Sequence, residues 1–248
     1  MKLTNDVYVV GGGQAGYGLS GILDCHVYLL NGGSELALVD VGLGLENDFD
    51  QILENVRADG FDPKNIRKLI LTHYHCDHIG AAQEAQKRLD AEVLASTISA
   101  PVLREANEKA VALDVAKAIG FYPDDFVLRP CPVDVELKED DVFQVGNLAL
   151  ETIETPGHCD GHLSFHMTGG DRNYLLGSDL VFNGGTILLQ NIHDCRIPEY
   201  ADSVNKVMAY DFDALLPGHF QISLRFGKVH VEKAQAAFRQ LGVPRNAL

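Results

Sequence analysis

His73-Tyr74-His75-Cys76-Asp77-His78 places three imidazoles and one carboxylate within six residues. Imidazole nitrogens and carboxylate oxygens are the ligands that zinc, iron and manganese take from a protein. On a turn leaving an apolar strand, His73 and His75 can converge on one ion. Asp77 and His78, on the next bend, can face a second. A helix opening near Ile79 would point its positive end at this turn, which favours bound anions. Alternation along the turn points Cys76 away from the ligands. Three later segments share the pattern of a ligand-type side chain beside Gly or Pro at a strand end. They are Thr155-Pro156-Gly157-His158, Gly177-Ser178-Asp179 and Pro217-Gly218-His219. Glycine and proline at such turns fix the backbone so that the side chain projects from the sheet edge. Together these residues supply the count that a two-metal site needs.

The elements that must position them alternate strand and helix. His26–Leu30 and Glu35–Val41 read as a hairpin through Asn31-Gly32-Gly33. Phe49, Ile52, Leu53 and Val56 follow the i, i+3, i+4, i+7 spacing of an amphipathic helix. A strand over Lys68–Thr72 leads into the histidine-rich turn, followed by a helix over Ile79–Leu89 and a strand over Ala91–Ala95. Ser99–Ile119 reads as mostly helical. Short strands then follow at Val133–Leu137, Asp141–Val145, Leu148–Glu154, Leu163–Met167 and Tyr174–Leu176. Tyr200–Tyr210 reads as a helix, Ala214–Leu216 as a strand and Lys228–Leu241 as a final helix. Two mixed sheets with helices outside accommodate this order. A purely parallel sheet does not, because the middle connections are of hairpin length. Val7–Val10 before Gly11-Gly12-Gly13-Gln14-Ala15-Gly16 matches the dinucleotide-binding fingerprint GxGxxG, with Asp40 a later acidic residue. Gly18 and Gly21 break the helix this fingerprint requires, so a glycine-rich loop between two early strands is expected instead.

The 248 residues carry 20 Lys+Arg against 35 Asp+Glu, a formal net charge of −15. That excess repels phosphate backbones and anionic membranes, so neither nucleic acid nor membrane is expected as a partner. No apolar run approaches the ~20 residues of a membrane span. The N-terminus does not read as a signal peptide, and the five scattered cysteines contain no CxxC. A cytoplasmic location without a disulfide framework is expected.

The motif His-x-His-x-Asp-His, with His158, Asp179 and His219 following in order, resembles the metallo-β-lactamase-fold superfamily of metal-dependent hydrolases, in its glyoxalase II and lactonase-like branch. The resemblance runs from about Asp40 to His219. It implies one α+β domain over residues 1–248, a four-layer αββα sandwich of two mixed β-sheets flanked by helices. It implies that His73, His75 and His158 hold one divalent metal ion, that Asp77, His78 and His219 hold a second, and that Asp179 bridges both. Zinc is the first expectation for the two ions, with iron and manganese as alternatives. Asp40 matches a strand-end aspartate that orients a ligand without binding metal, and His162 matches a histidine of similar supporting role. The implied chemistry is attack by a metal-bridging hydroxide, with Asp77 or Asp179 carrying the proton. The substrate class is a small ester, lactone or thioester.

Other branches fit less well. The β-lactamases proper lack the bridging aspartate, RNA-processing members need a basic surface, and the lactonases carry tyrosine where this chain has Phe182. A mononuclear iron enzyme of the persulfide dioxygenase type shares much of the motif set and stands as the alternative. A β-lactam hydrolase and a non-catalytic binding fold rank behind it. His193, in the loop after Asp179, and Phe182 are candidate substrate contacts. His166 reads as a satisfied polar side chain, and His26 and His230 as incidental. Phe121, Tyr122 and Phe126 could form an apolar lid. The partner implied is a small molecule, with a homodimer as the commonest assembly.

Overall fold

The computed structural model describes residues 1–247. Six strands form a first sheet in chain order: β1 (Val7–Gly11), β2 (Val27–Asn31), β3 (Leu36–Val39), β4 (Ile66–Ile70), β5 (Glu92–Ser96) and β6 (Val135–Leu137). The first three pair antiparallel, and β3 to β6 pair parallel. Five strands form the second sheet: β7 (Val142–Val145), β8 (Leu148–Glu154), β9 (Leu163–Thr168), β10 (Tyr174–Ser178) and β11 (Ala214–Pro217). Here β7 to β10 pair antiparallel and β11 runs parallel to β10.

Side-chain alternation sorts each strand into two apolar layers. Along β2, Val27 and Leu29 face the outer helices, while Tyr28 and Leu30 face the second sheet. The layer between the sheets joins Val7, Val9, Val39 and Ile70 to Leu150, Phe165, Met167 and Leu176. Helices α1 (Asp48–Ala58), α2 (Cys76–Ile79), α3 (Ala82–Leu89), α4 (Ser99–Glu105) and α5 (Leu113–Ala118) lie in the connections of the first sheet. Phe49, Ile52, Leu53 and Val56 of α1 are buried against that sheet's outer face, as their spacing requires. Tyr200 and Val204 of α6 (Ile197–Val207) and Val231 and Ala234 of α7 (Lys228–Arg239) cover the outer face of the second. The four layers are the expected αββα sandwich. No helix among the described residues is long and apolar enough to cross a membrane.

Two helical expectations need correction. The helix read over Ile79–Leu89 begins earlier, at Cys76, and is divided into α2 and α3. The bond that would continue it, from Ala81 N–H to Asp77 C=O, is replaced by two tertiary ones. Ala81 N–H donates to Gly42 O at 3.1 Å, and Asp77 O accepts from Cys25 N–H at 3.3 Å. Asp77 and His78 therefore stand in the first turn of α2, not on a bend before it. The long helix over Ser99–Ile119 is likewise broken, with Ala106 (φ 49°) and Ala112 (φ 52°) in the left-handed region. Leu103 O, which would accept from Asn107 in an unbroken helix, accepts Cys131 N–H at 2.9 Å instead. The glycine-rich segment after β1 opens no helix and returns as a loop to β2.

Candidate metal centre

The turn after β4 and the opening of α2 carry His73, His75, Asp77 and His78; the loops after β8, β10 and β11 carry His158, Asp179 and His219. The first sheet thus supplies one half of the site and the second sheet the other. His73 Nε2 is 3.2 Å from His75 Nδ1, which is 2.9 Å from His158 Nε2. His219 Nε2 is 3.1 Å and His78 Nε2 is 3.5 Å from Asp77 Oδ2. Asp179 Oδ2 lies between the groups, 3.4 Å from His158 Nε2 and 3.6 Å from Nε2 of both His78 and His219. These separations are close to the ~3.3 Å edge of a tetrahedron with metal–nitrogen bonds of ~2.0–2.1 Å.

Three of the other ring nitrogens point outward to fixed partners. His73 Nδ1–H donates to Thr72 Oγ1 at 3.0 Å, His158 Nδ1–H to Leu188 O at 3.1 Å and His78 Nδ1–H to Asp40 Oδ2 at 2.8 Å. For His73 and His158 the bond selects the tautomer whose Nε2 lone pair faces inward. His78 Nε2, His75 Nε2 and Asp179 Oδ1 are buried without a hydrogen-bond partner. Buried polar atoms are ordinarily paired, and His78 Nε2, which faces the Asp77 and Asp179 carboxylates, is an orphan of the kind a cation-binding set leaves. The donor set of imidazoles and carboxylates fits divalent zinc, iron or manganese. Burial and the neighbouring imidazoles hold His73 well below the usual histidine range, and burial with His158 brings His75 down to about 3. Burial would lower His78 too, but the carboxylates of Asp77, Asp179 and Asp40 outweigh it and hold the ring well above its usual value. Asp77 and Asp179 are pulled down against their burial by the surrounding histidines, so both stay ionised.

Asp40, expected to orient rather than bind, closes β3 with φ 57°. Its Oδ1 accepts Thr72 N–H at 2.8 Å, and its Oδ2 accepts Thr72 Oγ1–H at 2.9 Å as well as the His78 ring proton. His162 Nε2 accepts the main-chain N–H of Asp179 at 3.2 Å, and its Nδ1–H donates to Thr155 Oγ1 at 2.8 Å. Phe182 is fully buried, its ring 6.4 Å from that of His219. His193 lies on the surface outside this cluster, lining a cavity of about 450 Å³ with Asn107, Lys109, Val115 and Asn191. Cys76 is buried in the helix-side apolar layer. His166 Nε2–H donates to Asp211 O at 2.9 Å.

Several supports escaped the sequence reading. Tyr28 Oη–H donates to Pro217 O at 2.6 Å, and His26 Nδ1 faces the same oxygen at 3.1 Å. Together they seat the turn that carries His219, so His26 is not incidental. Tyr200 Oη–H donates to Asp179 O at 2.5 Å. Tyr74 Oη–H donates to buried Asp194, which also accepts Asp160 N–H and so joins the motif to the loop before α6. Tyr122 Oη–H donates to Asp77 Oδ1 at 2.9 Å. Phe121 is half exposed, whereas Tyr122 and Phe126 are buried.

Residues 20–219 match the family model of the metallo-beta-lactamase superfamily. The chain is 25% identical over 212 residues to the acyl-coenzyme A thioesterase MBLAC2 of Gallus gallus, covering 79% of this chain and 73% of that protein. It is 25% identical over 168 residues to a hydroxyacylglutathione hydrolase of Chelativorans sp. (strain BNC1), covering 66% of this chain and 51% of that one. Among solved structures it is similar to a metallo-beta-lactamase family protein from Thermus thermophilus, with a TM-score of 0.74 at 20% identity, covering 96% of this chain and 81% of the other. A likeness at that identity concerns the fold, which is the αββα sandwich built above. With the family match spanning most of its length and the His/Asp cluster at the strand ends, the chain belongs to the metallo-beta-lactamase superfamily and is an enzyme of it.

Proposed function

We propose that the chain is a hydrolase that works with two divalent metal ions, zinc first among them, on a thioester or a small ester or lactone. One observation carries this reading: Asp179 Oδ2 sits 3.4 Å from His158 Nε2 on one side and 3.6 Å from the Nε2 atoms of His78 and His219 on the other. A carboxylate shared in this way suits a bridge between two cations. His73, His75 and His158 would hold one ion, and Asp77, His78 and His219 the other. When bound, such ions supply an activated water near neutral pH and polarise the substrate carbonyl. A thiolate leaves with less help than an alkoxide, since thiols ionise near pH ~8.5. No side-chain nucleophile is needed, and Cys76 and Cys159 are buried. The similarity to an acyl-coenzyme A thioesterase and to a hydroxyacylglutathione hydrolase supports thioesters as the first class to assay.

The test is a panel of acyl-coenzyme A, S-acylglutathione, ester and lactone substrates offered to the metal-loaded chain. Hydrolysis of at least one thioester is expected, with Asp179→Ala lowering kcat/KM by about 100-fold or more. Absence of hydrolysis across the panel would falsify this reading. His73, His158 and Asp179 also form a group of two histidines and one carboxylate within bonding reach of a single ion. That arrangement favours a second reading, a mononuclear iron oxygenase acting on persulfides, and oxygen consumption with a persulfide substrate distinguishes it.

A further inference from the structure

Tyr122 comes from the connection after α5, 45 residues along the chain from Asp77, yet its hydroxyl donates to Asp77 Oδ1 at 2.9 Å. The other oxygen of that carboxylate, Oδ2, is the one that faces His78 and His219. Asp77 stands in the first turn of α2, so the phenol ties the segment after α5 to the start of that helix. Tyr122 is itself packed, its ring 4.9 Å from Phe121 and 6.1 Å from Phe126. Among the residues that bond to the ligands, it is the one contributed by the irregular segment between α5 and β6, which otherwise exposes Ile119, Phe121 and Val127.

We infer that Tyr122 is a positioning residue that restricts Asp77 to presenting Oδ2 alone at the His78–His219 side of the site, and that the same bond latches the segment after α5 over it. The inference rests on the two-ion reading above. A carboxylate with one oxygen occupied by a phenol binds a cation through the other. Without the phenol it is free to rotate, so the geometry on that side loosens. Loss of such a supporting bond typically costs about 10- to 100-fold in metal affinity. The other side, built from His73, His75 and His158, has no contact with Tyr122 and should not respond.

Zinc-loaded wild type and Tyr122→Phe are titrated with a chromophoric chelator, with Phe126→Ala as a companion that disturbs the same segment but keeps the hydroxyl. The wild type is expected to release zinc in two steps. In Tyr122→Phe one step moves to chelator concentrations about 10- to 100-fold lower while the other stays within about twofold, and Phe126→Ala moves neither. Thermal unfolding of the metal-free proteins reports whether the substitutions disturb the fold itself, and matching curves for wild type and Tyr122→Phe are expected. Two wild-type steps with neither moved in Tyr122→Phe overturn the latch and leave the two-ion reading standing. Both steps moving together, or Phe126→Ala reproducing the shift, also overturn it, because either marks general loosening. A wild type that binds one ion or none overturns the latch together with the reading beneath it.

Discussion

Asp40 shows how much of the site depends on a residue that binds no metal in the proposed arrangement. Its carboxylate accepts three donors, two from Thr72 and one from His78, and holds a backbone conformation that asparagine and aspartate tolerate better than other residues. Asp40→Asn keeps the shape and that tolerance while removing the charge. It is expected to fold and to bind metal about 10- to 100-fold more weakly by chelator competition; unchanged affinity would count against the orienting role. A second residue, Asp24, accepts from Ser20 Oγ–H at 2.6 Å and Leu43 N–H at 2.8 Å, and burial raises its pKa to about 6 from 3.8. The folded chain therefore binds this proton more tightly than the unfolded chain. Its contribution to stability is present below the unfolded value and is lost as pH rises through about 6. Between pH 5 and pH 7 the wild type should lose about 1 kcal/mol relative to Asp24→Asn in denaturant titrations, and a difference that is flat with pH would contradict it. The residues of the candidate centre were legible in the sequence because four of them fall in six consecutive positions and the others repeat one strand-end pattern. Tyr28, His26, Tyr74 and Tyr122 were not, because each acts through a partner 45 to 191 residues away. No local spacing signals such a bond.

The strands and the amphipathic helices followed their periodicity, since burial on one or two faces leaves that imprint on any sequence. Leu148–Glu154 was read with its observed bounds, and α1 buries the four residues its spacing named. The helix breaks were illegible for the opposite reason. Residues 99–119 are rich in alanine, the best helix former, and a long-range bond from Cys131 N–H to the Leu103 carbonyl accompanies the first break. Ala106 and Ala112 occupy left-handed backbone at about 1–2 kcal/mol each. Glycine avoids that penalty and gives back part of it through its unfolded-state entropy. Ala106→Gly is therefore expected to stabilise the chain by a few tenths to about 1 kcal/mol, whereas destabilisation in a denaturant titration would contradict the conformation. Gly80, between α2 and α3, behaves in the opposite way. A Cβ there would come within 2.1 Å of Leu43 O, so Gly80 keeps the loop after β3 close to the histidine-rich turn.

At the scale of the molecule, three apolar layers stack helix on sheet, sheet on sheet and sheet on helix. The candidate centre spans the seam between the sheets, with four of its residues after β4 and three after strands of the second sheet. Ions held there would tie the two halves together and stabilise the folded state alone. Saturation at 100 times Kd is worth about 2.7 kcal/mol per ion, and a chain of this size gains about 2–4 °C per kcal/mol. Removing both ions should therefore lower Tm by on the order of 10 °C or more, and a Tm indifferent to chelator would place any bound metal outside the seam. Two mixed sheets with helices outside were legible because the strand order and hairpin-length connections exclude a parallel sheet, and the four-layer sandwich followed from the family resemblance, whereas the pairing of β6 with β5 depends on tertiary contacts that spacing does not encode. The central claim is that Asp179 is shared by two cation-binding groups, and it is tested most directly by counting metal ions per chain. Elemental mass spectrometry on protein purified without chelator or added metal, and again after reconstitution, is expected to find two divalent ions per chain in the wild type and fewer in Asp179→Ala. One ion per chain in the reconstituted wild type, or none, would contradict it.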